Sequence, residues 1–177
     1  QVATFGKSRP NGFTSAVATT GGTGGIHHAI WNYTEAGDTV ITADWYWGAY
    51  KVLCLDMGRK LDTYKMLTDD GKFNLPALTE KVNALLAKQN SIMVIINTPA
   101  HNPTGYSLSL DDWDAMIDVI NKASCKVVLF LDIAYIDYAG EEDEVRAFVP
   151  KLAKLGDHVL TIFGYSASKT LTAYGMR

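Results

Sequence analysis

The sequence predicts an α/β fold: a three-layer α/β/α sandwich around a mainly parallel sheet. Two observations carry this. Apolar runs rich in β-branched residues alternate with segments of helical period, the pattern of successive β-α units. Two of those runs, Ile92-Met93-Val94-Ile95-Ile96 and Val127-Val128-Leu129-Phe130-Leu131, are apolar throughout, as strands buried on both faces must be. With 177 residues and 47% hydrophobic content, one compact domain with a full core is expected.

In chain order, residues 16–20 read as a strand entering the turn Gly21-Gly22-Thr23-Gly24-Gly25, and residues 26–33 as the helix that follows. Residues 39–42 and 60–66 read as short strands. Over residues 75–88, Leu75, Leu78, Val82, Leu85 and Leu86 fall on one helical face, with Asn74 placed to cap it. The strand Ser91–Asn97 is followed by Ser109, a helix cap with Asp112 three residues on, and then by the stripe Trp113, Met116, Ile117 and Ile120. Lys126–Asp132 is the next buried strand. Val145, Phe148, Val149 and Leu152 predict a further helix that Pro150 begins, kinks or divides, and residues 158–164 form the last strand.

Composition excludes several classes of function. A net charge of −3 without a Lys/Arg stripe argues against a nucleic-acid partner, and the acidic run Glu141 to Glu144 reads as a solvated helix start. No apolar stretch is long enough for a membrane span. Cys54 and Cys125 form no CxxC pair, which points to a reducing compartment, the cytoplasm. His27 and His28 are adjacent and diverge on a helix, so no metal site is expected.

In open parallel sheets ligands bind beyond the carboxyl ends of the strands, and four such ends carry polar chemistry. The glycine run 21–25 offers backbone N–H groups to an anion at a helix N-terminus, or simply makes a tight turn. It is no dinucleotide fingerprint, because counting from Gly22 places His27 where the third glycine belongs. His101-Asn102-Pro103-Thr104-Gly105 reads first as turn chemistry. Asp132, closing an apolar strand ahead of Tyr135, needs a cationic partner or caps the next helix. Lys169, in Ser166-Ala167-Ser168-Lys169, is an ordinary surface lysine or, if desolvated at this rim, an amine with its charged form disfavoured and able to form an imine.

Taken in order, Gly22-Thr23, Trp47, Asn102-Pro103-Thr104-Gly105, Asp132-x-x-Tyr135, Ser166-x-x-Lys169 and Arg177 resemble the fold type I pyridoxal-phosphate enzymes, and within them the class I/II aminotransferases. The resemblance implies pyridoxal 5′-phosphate as cofactor, held covalently by Lys169, which also shuttles the proton between substrate Cα and cofactor C4′. It implies that Asp132 pairs with the pyridine nitrogen and that Asn102 and Tyr135 hydrogen-bond the phenolic oxygen. Ser166, Arg177 and the backbone of Gly22 and Thr23 would hold the phosphate, with Trp47 stacked on one ring face and Ala134 against the other. Trp45, Tyr46 and Tyr50 are read as packing or pocket wall.

Trp47-Gly48 and the histidine before Asn102 are most similar to the aspartate and aromatic amino acid aminotransferases, which implies an L-amino acid and a 2-oxo acid as substrates, ping-pong kinetics and a homodimer. The chain departs from the aspartate enzymes at Ala49 and Tyr50, where they usually carry Asn and His, and at Gly21, where they usually carry Ser. Family members are a good deal longer. Residues 1–177 are thus expected to be the large, cofactor-binding domain of a longer enzyme, inactive by itself, without the N-terminal segment or the C-terminal small domain that carries the arginine for the substrate carboxylate. The same residues would serve a lyase, a decarboxylase or an aminocyclopropane-carboxylate synthase. A regulatory module that kept the scaffold is disfavoured by the intact Lys169, and a nicotinamide-binding domain by the glycine spacing.

Overall fold

The computed structural model describes residues 2–10 and 12–176. A single sheet of five parallel strands has the order β2-β1-β3-β4-β5. The strands are β1 (Thr39–Ala43), β2 (Lys60–Tyr64), β3 (Ser91–Asn97), β4 (Lys126–Asp132) and β5 (Val159–Gly164). The helices are α1 (Val2–Phe5), α2 (Gly21–Tyr33), α3 (Ala49–Asp56), α4 (Leu75–Leu86), α5 (Leu110–Asn121), α6 (Glu142–Val145) and α7 (Ala167–Thr170).

Strand periodicity divides the interior into two cores. Ile92, Val94 and Ile96 of β3, with Leu129 and Leu131 of β4, share one core with Leu78 and Val82 of α4 and Trp113, Met116 and Ile117 of α5. Their neighbours Met93, Ile95, Val128 and Phe130 face the other way, into a core with Ile26 and Ile30 of α2 and Tyr50 and Cys54 of α3. Each such side chain contributes about 1.5–3 kcal/mol by leaving water. The three-layer α/β/α architecture follows directly: both sheet faces are apolar, so both must be covered.

Helix starts are set by local chemistry. Asn74 accepts the Ala77 N–H at 3.2 Å, and Pro76 occupies the first turn of α4, where its missing N–H costs nothing. At α5, Ser109 Oγ accepts the Asp112 N–H at 3.1 Å while Asp112 Oδ2 accepts the Ser109 N–H at 2.9 Å. This reciprocal cap uses Asp where Glu is commoner.

Two expectations need correction. Residues 16–20 form no strand and are exposed throughout; their one large apolar side chain, Val17, is 83% exposed, so the run has no area to bury against a neighbour. Glycines 21–25 are not a turn ahead of a helix but the first turn of α2 itself. The region around Pro150 is divided as expected, into α6 and the 3-10 segment Val149–Lys154, with Pro150 in the first turn of the second piece. The helix α3 gave no clear period in the sequence, because Tyr50 and Cys54 face the core while Val52 and Leu55 are exposed.

Candidate active site

The strand register builds the site. Asn97, Asp132 and Gly164 are partners across β3, β4 and β5, so the last residues of three adjacent strands stand level at the carboxyl edge of the sheet. The N-terminus of α2 and the turn leading into α7 close over this edge. Gly22, Thr23, Trp47, Asn102, Asp132, Ala134, Tyr135, Ser166 and Lys169 all line the resulting cleft, joined by Asn97, Gly164 and Tyr174. Arg177 lies outside the described residues.

Asp132 is 8% exposed. Its Oδ1 accepts the Ala134 N–H at 3.2 Å, and its Oδ2 accepts the hydroxyl of Tyr50, itself 1% exposed. Burial pushes the carboxyl above its ordinary range, and the Tyr50 and Ala134 hydrogen bonds and the charge of Lys169 only partly offset that. Burial, with the Asp132 charge beside it, drives the Tyr50 phenol well above its usual value, so it stays a neutral donor. Among the described residues Asp132 makes no ion pair within salt-bridge distance, leaving a buried carboxylate that a cation in the cleft would satisfy.

Asn97 ties two strand ends together. Its Nδ2 donates to the Asp132 carbonyl at 2.8 Å, and its Oδ1 accepts the Asn102 N–H at 2.6 Å, which fixes where the loop after β3 enters the cleft. The loop is pinned further by His101, whose Nδ1 lies 2.8 Å from Thr104 Oγ1. Burial lowers the His101 pKa, which favours the neutral ring. At the end of β5, a Cβ on Gly164 would lie 2.7 Å from the ring of buried Phe130, so a side chain there would have to displace the core.

Ser166 caps α7, its side chain accepting the Ser168 N–H at 3.3 Å. Lys169 does not have the lowered pKa expected of a desolvated lysine. Its Nζ donates to Tyr174 Oη at 2.9 Å and stands 5.5 Å from the Tyr135 ring centroid. The Tyr174 hydrogen bond raises its pKa and outweighs a slight desolvation. Thr20, ahead of α2, makes no side-chain cap, and the first N–H groups of a helix, here those of Gly22 and Thr23, have no intrahelical partner; a Cβ on Gly22 would lie 3.5 Å from Ser166 Cβ, so the two sit side by side at the rim of the cleft. Trp47 packs edge-on against Tyr50, centroids 5.8 Å apart.

The sequence profile of the family described as aminotransferase class I and II matches residues 11–177. The chain belongs to this family. Among class I and II aminotransferases it is 35% identical, over 78% of its length, to an aspartate aminotransferase of Pseudomonas aeruginosa, of which it covers 33%. It is 30% identical, over 82% of its length, to an aromatic-amino-acid aminotransferase of Escherichia coli, of which it covers 34%. The crystal structure of an aminotransferase from Anaerococcus prevotii superposes with a TM-score of 0.96 at 38% identity, covering 99% of this chain and 44% of that one. The chain therefore spans about a third of the length of the curated relatives it matches.

Within the aminotransferase scaffold, the residues missed by sequence reasoning are of two kinds. Asn97 carried the same signal as Asp132, a polar residue closing an apolar strand. Tyr50, read as packing or pocket wall, is the side-chain partner of Asp132, and no local pattern marks it.

Proposed function

We propose that the full-length protein is a pyridoxal 5′-phosphate-dependent aminotransferase that moves an amino group between an L-amino acid, of the aspartate or aromatic type, and a 2-oxo acid by a ping-pong cycle. The observation that carries this reading is the convergence of Asp132, Lys169 and the Gly22-Thr23/Ser166 rim on one cleft. The donor set fits the cofactor: a buried carboxylate in need of a cation, helix N–H groups and a serine hydroxyl for a phosphate, and an amine. When bound, the cofactor supplies an electron-withdrawing ring that stabilises negative charge at the substrate Cα.

In this reading Asp132 would pair with the pyridine nitrogen and favour its protonated form, and Tyr50 keeps Asp132 aimed into the cleft. Asn102 and Tyr135, both lining the cleft, would donate to the phenolic oxygen. Trp47 and Ala134 would flank the ring, while Ser166, Arg177 and the Gly22 and Thr23 N–H groups would hold the phosphate. Lys169 would hold the cofactor covalently, and its Nζ would take up and return the substrate Cα proton. To accept that proton the amine must be neutral, so it has to leave the Tyr174 hydroxyl that now favours its charged form. A second subunit and the cytoplasm are the expected setting; both cysteines are free, and among the described residues no helix is long and apolar enough to cross a membrane.

The test uses the full-length holoenzyme. An amino donor alone should bleach the cofactor absorbance lastingly, and a 2-oxo acid should restore it; recovery without a 2-oxo acid would point to a lyase on the same scaffold. Lys169→Ala should abolish borohydride-fixable cofactor with the fold retained. A fixed adduct in that variant would refute the assignment of Lys169.

A further inference from the structure

Helix α7, which carries Lys169, is a single turn from Ala167 to Thr170. A helix this short does not hold itself, so its position depends on what grips it. From the cleft side Ser166 caps it. Beyond the Lys169–Tyr174 contact, a second grip comes from the 3-10 turn Ile136–Tyr138 that directly follows Asp132 and Tyr135.

Two hydrogen bonds make this connection. Tyr138 Oη donates to the Lys169 carbonyl at 2.6 Å, and Thr170 Oγ1 donates to Asp137 Oδ2 at 2.6 Å. Asp137 is braced from behind: Tyr165 Oη donates to Oδ2 at 3.2 Å, and Arg146, 4% exposed, donates from Nη2 to Oδ1 at 2.7 Å. Arg146 in turn reaches the Ala3 carbonyl at 2.8 Å. Burial raises the Asp137 pKa, but the hydrogen bonds from Thr170, Arg146 and Tyr165 outweigh it and hold the group ionised, so the brace persists at neutral pH.

We propose that Asp137 and Tyr138 are positioning residues that lock the lysine-bearing turn to the end of β4, so that the amine of Lys169 is held in register with the cleft side of Asp132. The inference rests on the reading of Lys169 as the cofactor lysine. The step it governs is attachment: neutral Nζ adds to the cofactor's aldehyde carbon, a C=N bond forms, and the carbonyl oxygen leaves as water with the two protons of the amine. No oxidant or reductant is required. Small displacements of a reacting atom slow such a step steeply, whereas capture of the phosphate, which uses other atoms, is unaffected.

The experiment reconstitutes full-length apoenzyme with pyridoxal 5′-phosphate. It follows borohydride-fixable attachment at residue 169 over time, and separately the cofactor's capture by quenching of tryptophan fluorescence. Thr170→Val and Tyr138→Phe each remove one bond while leaving the Arg146–Asp137 pair intact. Each should slow attachment about fivefold, the equivalent of one net hydrogen bond, and the double variant by more than about tenfold. Capture should stay near wild type, and Thr170→Ser, which keeps the hydroxyl, should restore the rate. Attachment at the wild-type rate in the double variant would overturn the proposal, as would a Thr170→Ser enzyme as slow as Thr170→Val, or a slowing no greater than the loss of capture. If wild type itself fixes no cofactor at residue 169, the reading beneath the proposal fails and takes it along.

Discussion

Tyr50→Phe removes one oxygen from the interior and leaves the ring to fill the same space between α3 and the sheet. The Asp132 Oδ2 that the hydroxyl served then faces a core where Tyr50 is 1% and Asp132 8% exposed, so water has little access to replace it. A hydrogen bond to a charged acceptor contributes about 1.5–3 kcal/mol, which sets the expected loss. The pH dependence follows from the carboxyl. Burial already places its folded value above the unfolded one, so the folded state holds the proton more tightly. That difference costs stability as pH rises from the ordinary carboxylate range through the raised value, and costs nothing below it. Losing the Tyr50 donor, which lowers the carboxyl's pKa, widens the window upward. Urea unfolding of full-length apoprotein should therefore show a midpoint lower by about 1 M near pH 8, and by less than about half of that near pH 5, where more of the carboxyl is protonated. An equal loss at both pH values, or none, would refute the argument that Tyr50 stabilises an ionised Asp132.

Asp132→Ala in the full-length enzyme should lower turnover by about 10²–10³-fold, with capture of inorganic phosphate by the apoenzyme unchanged in a competition assay. Trp113→Ala empties a fully buried site and undoes the stack on Phe148, centroids 4.4 Å apart; it should cost about 3–5 kcal/mol in urea unfolding. Ser109→Ala, which breaks the reciprocal cap of α5, should cost about 1 kcal/mol with activity preserved, read by thermal unfolding beside an assay of turnover.

The parts of the fold legible in the sequence are those where burial acts on a whole run. Ser91–Asn97 and Lys126–Asp132 could only be strands covered on both faces, and that alone dictates helices on both sides. Asn74 and Ser109 were readable because a cap is a contact between residues three apart. Residues 16–20 misled because a run of alanine and threonine around the single valine Val17 has too little apolar area to hold a strand against the sheet. The glycines of α2 misled in the opposite way: poor helix formers are tolerated where Ile26, Ala29 and Ile30 anchor the remainder of the helix in the core.

The site divides along the same line. Asp132 ends a strand and Asn102 and Lys169 follow one, and a parallel sheet delivers every such residue to one edge, so their meeting needs only the architecture. Tyr50 stands 82 residues from Asp132 and joins it because the strand order sends α3 onto the same face as Met93, Ile95 and Phe130, beside the β1/β3 junction that the chain crosses on its way from β2 to β3. Nothing local to Ala49-Tyr50 encodes that. The position is nevertheless constrained by chemistry once the fold is formed: a carboxylate buried among apolar side chains, with its other oxygen already on the Ala134 N–H, requires a donor at Oδ2. A phenol meets that requirement without adding charge, and because its proton stays on at any physiological pH, the orientation of Asp132 does not titrate with it.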